Sequence, residues 1–259
     1  MRADHDGIGL RWKPGPRLRA AGRGLLDAVF PPTTLDGAQR TLSGGLSADA
    51  WSRVAFIAEP LCDGCGAPFE YDAGERCAAC LARPRAFARG RAAVLYDDAS
   101  RDLILKFKHA DRTDLARLLA AWVGRAAADL LADADAIAPV PMHGSRLLAR
   151  RYNQAAEIAR PLARQHRIAY MADALVRARR TESQAGKSGG ARRRNVASAF
   201  KVRPAQARRV AGRRILLVDD VLTTGATAEA CARALLAAGA SAVDVAVVAR
   251  VREGQSLAI

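Results

Sequence analysis

Apolar positions in this chain fall into short blocks separated by longer amphipathic stretches. Ala92–Tyr96, Ala136–Pro141, Arg214–Val218 and Ala242–Val248 are too short for helices and read as buried strands, the second ended by its prolines. Ala199–Val202 reads as a further short strand. Between these blocks the period changes. Ser100–Lys108 predicts a short helix with Ser100 as N-cap, and Thr113–Leu131 a longer amphipathic one. Ser145–Arg167 predicts a helix with Leu147, Ala155, Ile158 and Leu162 near one face, and Ala226–Ala238 a helix stopped by Gly239. Alternating strand and helix implies an α/β domain over residues 89–252, with a mostly parallel sheet covered on both faces.

The flanking segments read differently. Residues 1–23 are basic and rich in Gly and Pro, and predict a disordered leader. Leu25–Phe30 is apolar and is stopped by Pro31-Pro32; residues 33–50 are loop-like. Residues 179–195 mix polar, Gly and Arg positions and predict a mobile loop. The N-terminus lacks the apolar core of a secretory signal, of about 7–15 residues. No stretch approaches the ~18 apolar residues of a membrane span. A cytoplasmic protein is expected.

Charge changes the picture of partners. The chain carries 41 Lys+Arg against 26 Asp+Glu, a formal +15, and residues 143–214 alone hold 19 Lys/Arg against 3 Asp/Glu. Such a block attracts polyanions: nucleic acid, an anionic surface or phosphorylated small molecules. The bland reading, well-solvated helix faces, accounts for the number of arginines better than for their clustering.

Four of the five cysteines form two pairs, Cys62-x-x-Cys65 and Cys77-x-x-Cys80. Each pair bends into a knuckle presenting two sulfurs, and four thiolates close a tetrahedral Zn²⁺ shell. A closed shell predicts one structural zinc. Gly64 and Gly66 ease the turn.

The chemistry concentrates at Ile215-Leu216-Leu217-Val218-Asp219-Asp220-Val221-Leu222-Thr223-Thr224-Gly225-Ala226-Thr227. Ligands of open α/β sheets sit beyond the carboxyl ends of strands. Unpaired amides and the dipole at a helix start favour an anion, and Gly225 allows close backbone approach. Three threonines offer hydroxyls to phosphate oxygens. Asp219 and Asp220 suit the 2′- and 3′-hydroxyls of a ribose, directly or through Mg²⁺. An ordinary strand followed by a Thr-capped helix needs no such combination.

This run resembles the phosphoribosyl pyrophosphate (PRPP) signature of type I phosphoribosyltransferases. The resemblance implies that Asp219 and Asp220 are catalytic and that Thr223, Thr224, Gly225, Ala226 and Thr227 form the 5′-phosphate loop. Further segments resemble the ComF family, which also includes the GntX-type proteins: Leu105-Lys106-Phe107-Lys108; Pro139-Val140-Pro141-Met142-His143; Arg146; Arg150-Arg151-Tyr152-Asn153-Gln154; and Thr181, Gln184, Arg192, Asn195 and Phe200. Arg151 stands where that family usually has Gly. The turn after Pro139–Pro141 suits pyrophosphate, with Arg146 and Arg151 pairing its charge. Lys106, Asn153, Gln154, Gln184, Arg192 and Asn195 are further pocket or loop candidates. His143 is a weaker candidate donor.

The resemblance also extends to the N-terminal module, residues 24–85, as a zinc ribbon whose first half has decayed: the corresponding ligand positions hold Thr34, Gly37, Ser47 and Ala50. Two functions follow. One is binding of PRPP or a similar ribose phosphate with Mg²⁺, with phosphoribosyl transfer to a base that nothing here names. The other is non-enzymatic handling of single-stranded DNA together with DNA-uptake machinery, as the ComF likeness implies. Aromatics for base stacking are limited to Tyr152, Tyr170 and Phe200, which weakens the second.

Overall fold

A computed structural model of the chain describes residues 34–35, 45–71, 74–109, 114–142, 152–178 and 199–252. It divides into two compact units, residues 1–48 and 49–259. In the first, Leu35 N–H bonds to Gly45 O at 2.7 Å.

The second unit holds a five-stranded sheet. Its strands are β1 (Gly90–Leu95), β2 (Ala136–Pro139), β3 (Ala169–Tyr170), β6 (Arg214–Leu222) and β7 (Ala242–Arg250), in the order β1-β7-β6-β2-β3. All four pairings are parallel. β4 (Leu175–Arg177) and β5 (Phe200–Val202) pair antiparallel in a separate ribbon. The central strands are apolar at nearly every position because helices cover both faces.

Before the sheet come the short helices α1 (Ala48–Arg53) and α2 (Ala78–Ala82). Then α3 (Asp98–His109) follows β1, and α4 (Leu115–Ala126) and α5 (Ala128–Asp133) precede β2. The single helix expected over Thr113–Leu131 is thus broken at Ala127, where φ −113° and ψ 27° leave the helical region. A one-residue break is invisible to periodicity, since both pieces bury the same kind of face. α3 starts two residues earlier than expected. Ser100 sits in its first turn and donates to Leu95 O at 2.6 Å. Asp97 accepts the Ser100 N–H at 2.9 Å while Ser100 Oγ accepts the Asp97 N–H at 3.0 Å. This reciprocal pair makes Asp97 the cap.

α6 (Gln154–His166), α7 (Ala207–Val210) and α8 (Ala226–Ala237) complete the helices. α4 and α6 pack on each other and on one side of the sheet, while α8 packs on β6, β7 and the β4–β5 ribbon. On the α8 side the core is built from Ile215, Leu217, Val243, Val245, Cys231 and Leu235. Asp244, buried on the opposite parity of β7, is gripped by Arg89 at 2.9 Å and Arg214 at 2.7 Å. Burial alone would raise its carboxyl, but the two guanidinium groups hold it below the usual range.

The cysteine knuckle lies against the first strand. Gly90 N–H donates to Asp63 O at 3.2 Å, and Arg91 reaches Asp63 Oδ1 at 2.7 Å. Gly66 adopts φ +69°, and a Cβ there would meet Gly90 O at 2.8 Å, so side chains are excluded where ribbon and sheet touch. Among the described residues, no helix is long and apolar enough to cross a membrane.

Candidate functional site

β6 runs four residues past the expected Val218 because β7 stays in register beside it, with Asp219 opposite Val247, Val221 opposite Ala249 and Leu222 opposite Arg250. The acidic doublet is therefore inside the carboxyl end of a strand. Successive strand residues point to opposite faces. Asp219 shares parity with Ile215 and Leu217 on the α8 side, and Asp220 points to the side of α3. The doublet straddles the sheet edge rather than lying side by side.

The chain then turns through Thr223 and Thr224 into Gly225, at φ +77°, and α8 begins at Ala226. Thr224 Oγ1 accepts the Ala226 N–H at 3.4 Å, and Gly225 O accepts the Glu229 N–H at 2.8 Å. A cleft opens here, lined by Asp219 and by residues 221–228. The first amides of α8 have no partners within the helix, so the turn presents donors at the positive end of a twelve-residue helix.

Electrostatics sharpen the site. Lys108, near the end of α3, pairs with Asp220 Oδ2 at 2.9 Å, and both side chains are largely buried. Burial alone would lower the Lys108 ammonium; the Asp220 charge outweighs it and holds the value above normal. Among the described residues, no cation pairs directly with Asp219. Burial, and then the Asp220 charge, push its carboxyl up to about 8, against the Asp220 N–H that donates to Asp219 Oδ1 at 2.9 Å. The doublet is thus half-neutralised.

Sequence reasoning picked Lys106 in this segment, yet Lys106 is exposed and Lys108 is the residue at the doublet. The signal was present. Leu103, Ile104 and Phe107 are the buried face of α3, and Lys108 lies one turn beyond Ile104 whereas Lys106 projects from the other side. Asn153 is the N-cap of α6: its Oδ1 accepts the Ala155 N–H at 3.1 Å and its Nδ2 donates to Val140 O at 3.0 Å. It pins the turn after β2 with one of its two amide hydrogens and one oxygen lone pair. Gln154 is 2% exposed, and among the described residues its amide oxygen and nitrogen have no partner. His143, Arg146, Arg151, Gln184, Arg192 and Asn195 lie outside the described residues.

The expected stacking aromatics are otherwise engaged. Tyr152 donates its hydroxyl to Phe107 O, Phe200 is buried, and Tyr170 is half-buried. Trp51, which the sequence argument passed over, is 44% exposed and contacts Phe56 and Trp122.

The four cysteines converge. The Sγ atoms of Cys62, Cys65, Cys77 and Cys80 all lie within 4.8 Å of one another, with Cys65 and Cys77 3.7 Å apart. A tetrahedron with Zn–S bonds near 2.3 Å has edges of about 3.8 Å, so the donor set and spacing fit zinc. Burial tends to raise the Cys62 thiol, but N–H groups of Cys77 and Cys65 aimed at its sulfur bring it below normal; burial and the Cys65 sulfur raise Cys80. Among the described residues this is the one such group. Thr34, Ser47 and Ala50, at three of the decayed ligand positions, are buried; Gly37 lies outside the described residues.

Residues 113–258 match the model of the phosphoribosyl transferase domain, and residues 25–81 that of the double zinc ribbon domain. The DNA utilization protein YhgH of Escherichia coli strain K12 is 33% identical over 200 residues, covering 75% of this chain and 86% of that protein. Competence protein F of Haemophilus influenzae is 31% identical over 191 residues, covering 72% and 82%. Among solved structures, the chain is similar to a glutamine PRPP amidotransferase from B. subtilis at TM-score 0.36 and 21% identity, over 52% of this chain and 26% of that one. That likeness adds nothing to the fold described above.

Proposed function

The chain belongs to the phosphoribosyl transferase domain family, in its zinc-ribbon-bearing ComF branch, and on that premise we propose that its acidic turn binds the ribose-5-phosphate portion of PRPP and supports phosphoribosyl transfer. The observation that carries this reading is the cleft that Asp219 and the left-handed Gly225 turn line together at the end of β6, with Asp220 the next residue of the strand. The 5′-phosphate sits on the amides that open α8, with Thr223, Thr224 and Thr227 as hydroxyl donors. Asp219 and Asp220 accept from the ribose 2′- and 3′-hydroxyls, and Lys108 yields Asp220 to them.

Hard oxygen donors and a part-charged doublet fit Mg²⁺, which when bound would stabilise a departing pyrophosphate. This chain's own residues do the rest. The carboxyl pair orients the sugar so that its anomeric carbon faces the turn after β2, and the Asp220 charge favours an oxocarbenium-like ribose. Arg146 and Arg151 are the candidate pyrophosphate partners. The buried amide of Gln154 next to that turn, without a partner among the described residues, supports a polar ligand or water there, because each atom left unpaired costs about 1–3 kcal/mol. The zinc ribbon holds one structural ion on four thiolates and takes no part in the reaction.

The test is calorimetric titration of the purified chain with PRPP and Mg²⁺, followed by a screen of bases for PRPP-dependent pyrophosphate release. Asp220→Asn is expected to abolish PRPP binding; unchanged affinity sinks the assignment. A second reading, direct contact with single-stranded DNA, draws on the 143–214 charge block and on relatives named for competence and DNA utilization. Its signature is affinity for a labelled strand that falls steeply between two salt concentrations. PRPP binding without pyrophosphate release for any base favours a binding protein over an enzyme.

A further inference from the structure

Two arginines just downstream of Cys80 reach α8, and one of them also reaches the phosphate turn, 139 residues away in sequence. Arg83 grips Glu229 of α8 with both ends of its guanidinium, through Nη1 to Oε2 at 3.1 Å and through Nη2 to Oε1. Arg85 Nη1 donates to Glu229 Oε1 at 3.0 Å and to Thr224 O at 2.9 Å. The Arg85 guanidinium also favours the charged form of Cys80. Glu229 is 1% exposed, so this is a desolvated junction rather than a surface ion pair. One side chain therefore acts electrostatically on a sulfur of the metal knuckle and donates to a carbonyl of the phosphate loop.

The contact with Thr224 O has a directional consequence. In a planar trans peptide the carbonyl and the following N–H point opposite ways. Holding Thr224 O toward Arg85 turns the Gly225 N–H to the other side of the turn. Gly225 itself leaves room for this: a Cβ there would lie 3.3 Å from Arg85 Nη1.

The structure assigns to Arg85 the role of a positioning residue that fixes the Thr224–Gly225 peptide for the 5′-phosphate and couples that turn to the thiolate shell through Cys80. This rests on the ribose-phosphate reading above and deepens it. Phosphate occupancy and metal retention then favour each other, because coupling between two sites is reciprocal. Arg83 shares the Glu229 anchor but makes no bond to the turn, which makes it the internal control.

The experiment uses the full, zinc-loaded chain and ribose 5-phosphate as probe. Affinity is measured by calorimetry. The Gly225 amide is followed in a ¹⁵N-glycine-labelled sample, and zinc release to a chromogenic chelator is timed with and without the probe. In the parent chain the probe moves the Gly225 amide resonance and slows zinc release. Arg85→Ala is expected to weaken the probe by about tenfold or more, as loss of a charge-assisted bond implies. It is also expected to abolish both the amide response and the effect on zinc release. Arg85→Lys recovers part of the affinity, and Arg83→Ala lowers the melting temperature while keeping the Gly225 response. Should the parent bind and Arg85→Ala bind within twofold of it with the same amide response, the positioning role is wrong. Zinc release that ignores the probe in the parent chain overturns the coupling. A parent that does not bind ribose 5-phosphate at all defeats the underlying reading itself.

Discussion

Asp219→Asn tests the electrostatics of the acidic turn most directly. The folded environment raises the Asp219 carboxyl from 3.8 to about 8, with burial the main cause and the Asp220 charge second. Between those two values the folded chain keeps a proton that the unfolded chain has released. Stability contributed by this group is therefore complete below about pH 4 and lost as pH rises through about 8. The full shift sets a ceiling of about 6 kcal/mol. Water entry and movement of Lys108 reduce the realised value. Asn carries no titrating proton, so the substituted chain escapes the penalty. Measured by urea unfolding without ligand, Asp219→Asn is expected to gain on the parent by about 2–3 kcal/mol between about pH 5.5 and pH 8, bounded by 1.4 kcal/mol per pH unit. Both proteins carry the same zinc knuckle, so its own pH dependence cancels in the difference. A gap that stays constant with pH, or closes as pH rises, would refute the claim that Asp219 is held protonated. The same substitution is expected to lose PRPP, which separates a site kept at a cost in stability from a merely structural one.

Three further outcomes are expected. Gly225→Ala forces a Cβ into φ +77° and should cost about 1–2 kcal/mol in chemical denaturation, with weaker ribose 5-phosphate binding. Asp244→Ala leaves Arg89 and Arg214 without their shared buried carboxylate and should cost about 3–5 kcal/mol, read as a lower urea midpoint at unchanged slope. Cys77→Ser should reduce bound zinc from about one per chain toward zero by metal analysis, with a lower melting temperature; a full complement of zinc would remove the four-thiolate assignment.

The sheet was legible because each buried strand is a short unbroken apolar run and each covering helix has a clear period. Ile215–Val218 and Ala242–Val248 declare themselves in this way. What sequence missed was set by partners remote along the chain. β6 continues through Asp219 and Asp220 only because β7 is long enough to pair with it, and no local propensity favours two aspartates in a strand. The cap of α3 went to Asp97 rather than Ser100 because the choice depended on which side chain the end of β1 left free to bond. The doublet, the glycine turn and the four thiolates could be named from spacing alone. Lys108 could have been, by applying helical period to its segment. Arg85 and Glu229 could not: nothing in an arginine after a cysteine knuckle foretells a carbonyl 139 residues away.

The last residue of β7 adds a practical and an evolutionary consequence. Arg250 is 3% exposed, and its Nη1 donates to Cys65 O at 2.6 Å and lies 3.2 Å from Cys65 Sγ. Its guanidinium is solvated by the knuckle rather than by water. A fragment trimmed to begin after Cys80 would leave that cation stranded in an apolar wall and is a poor choice for expression. By the same logic a lineage can shed the ligand positions before Cys62 one at a time, but discarding the knuckle around Cys65 requires a simultaneous rewrite of the end of β7.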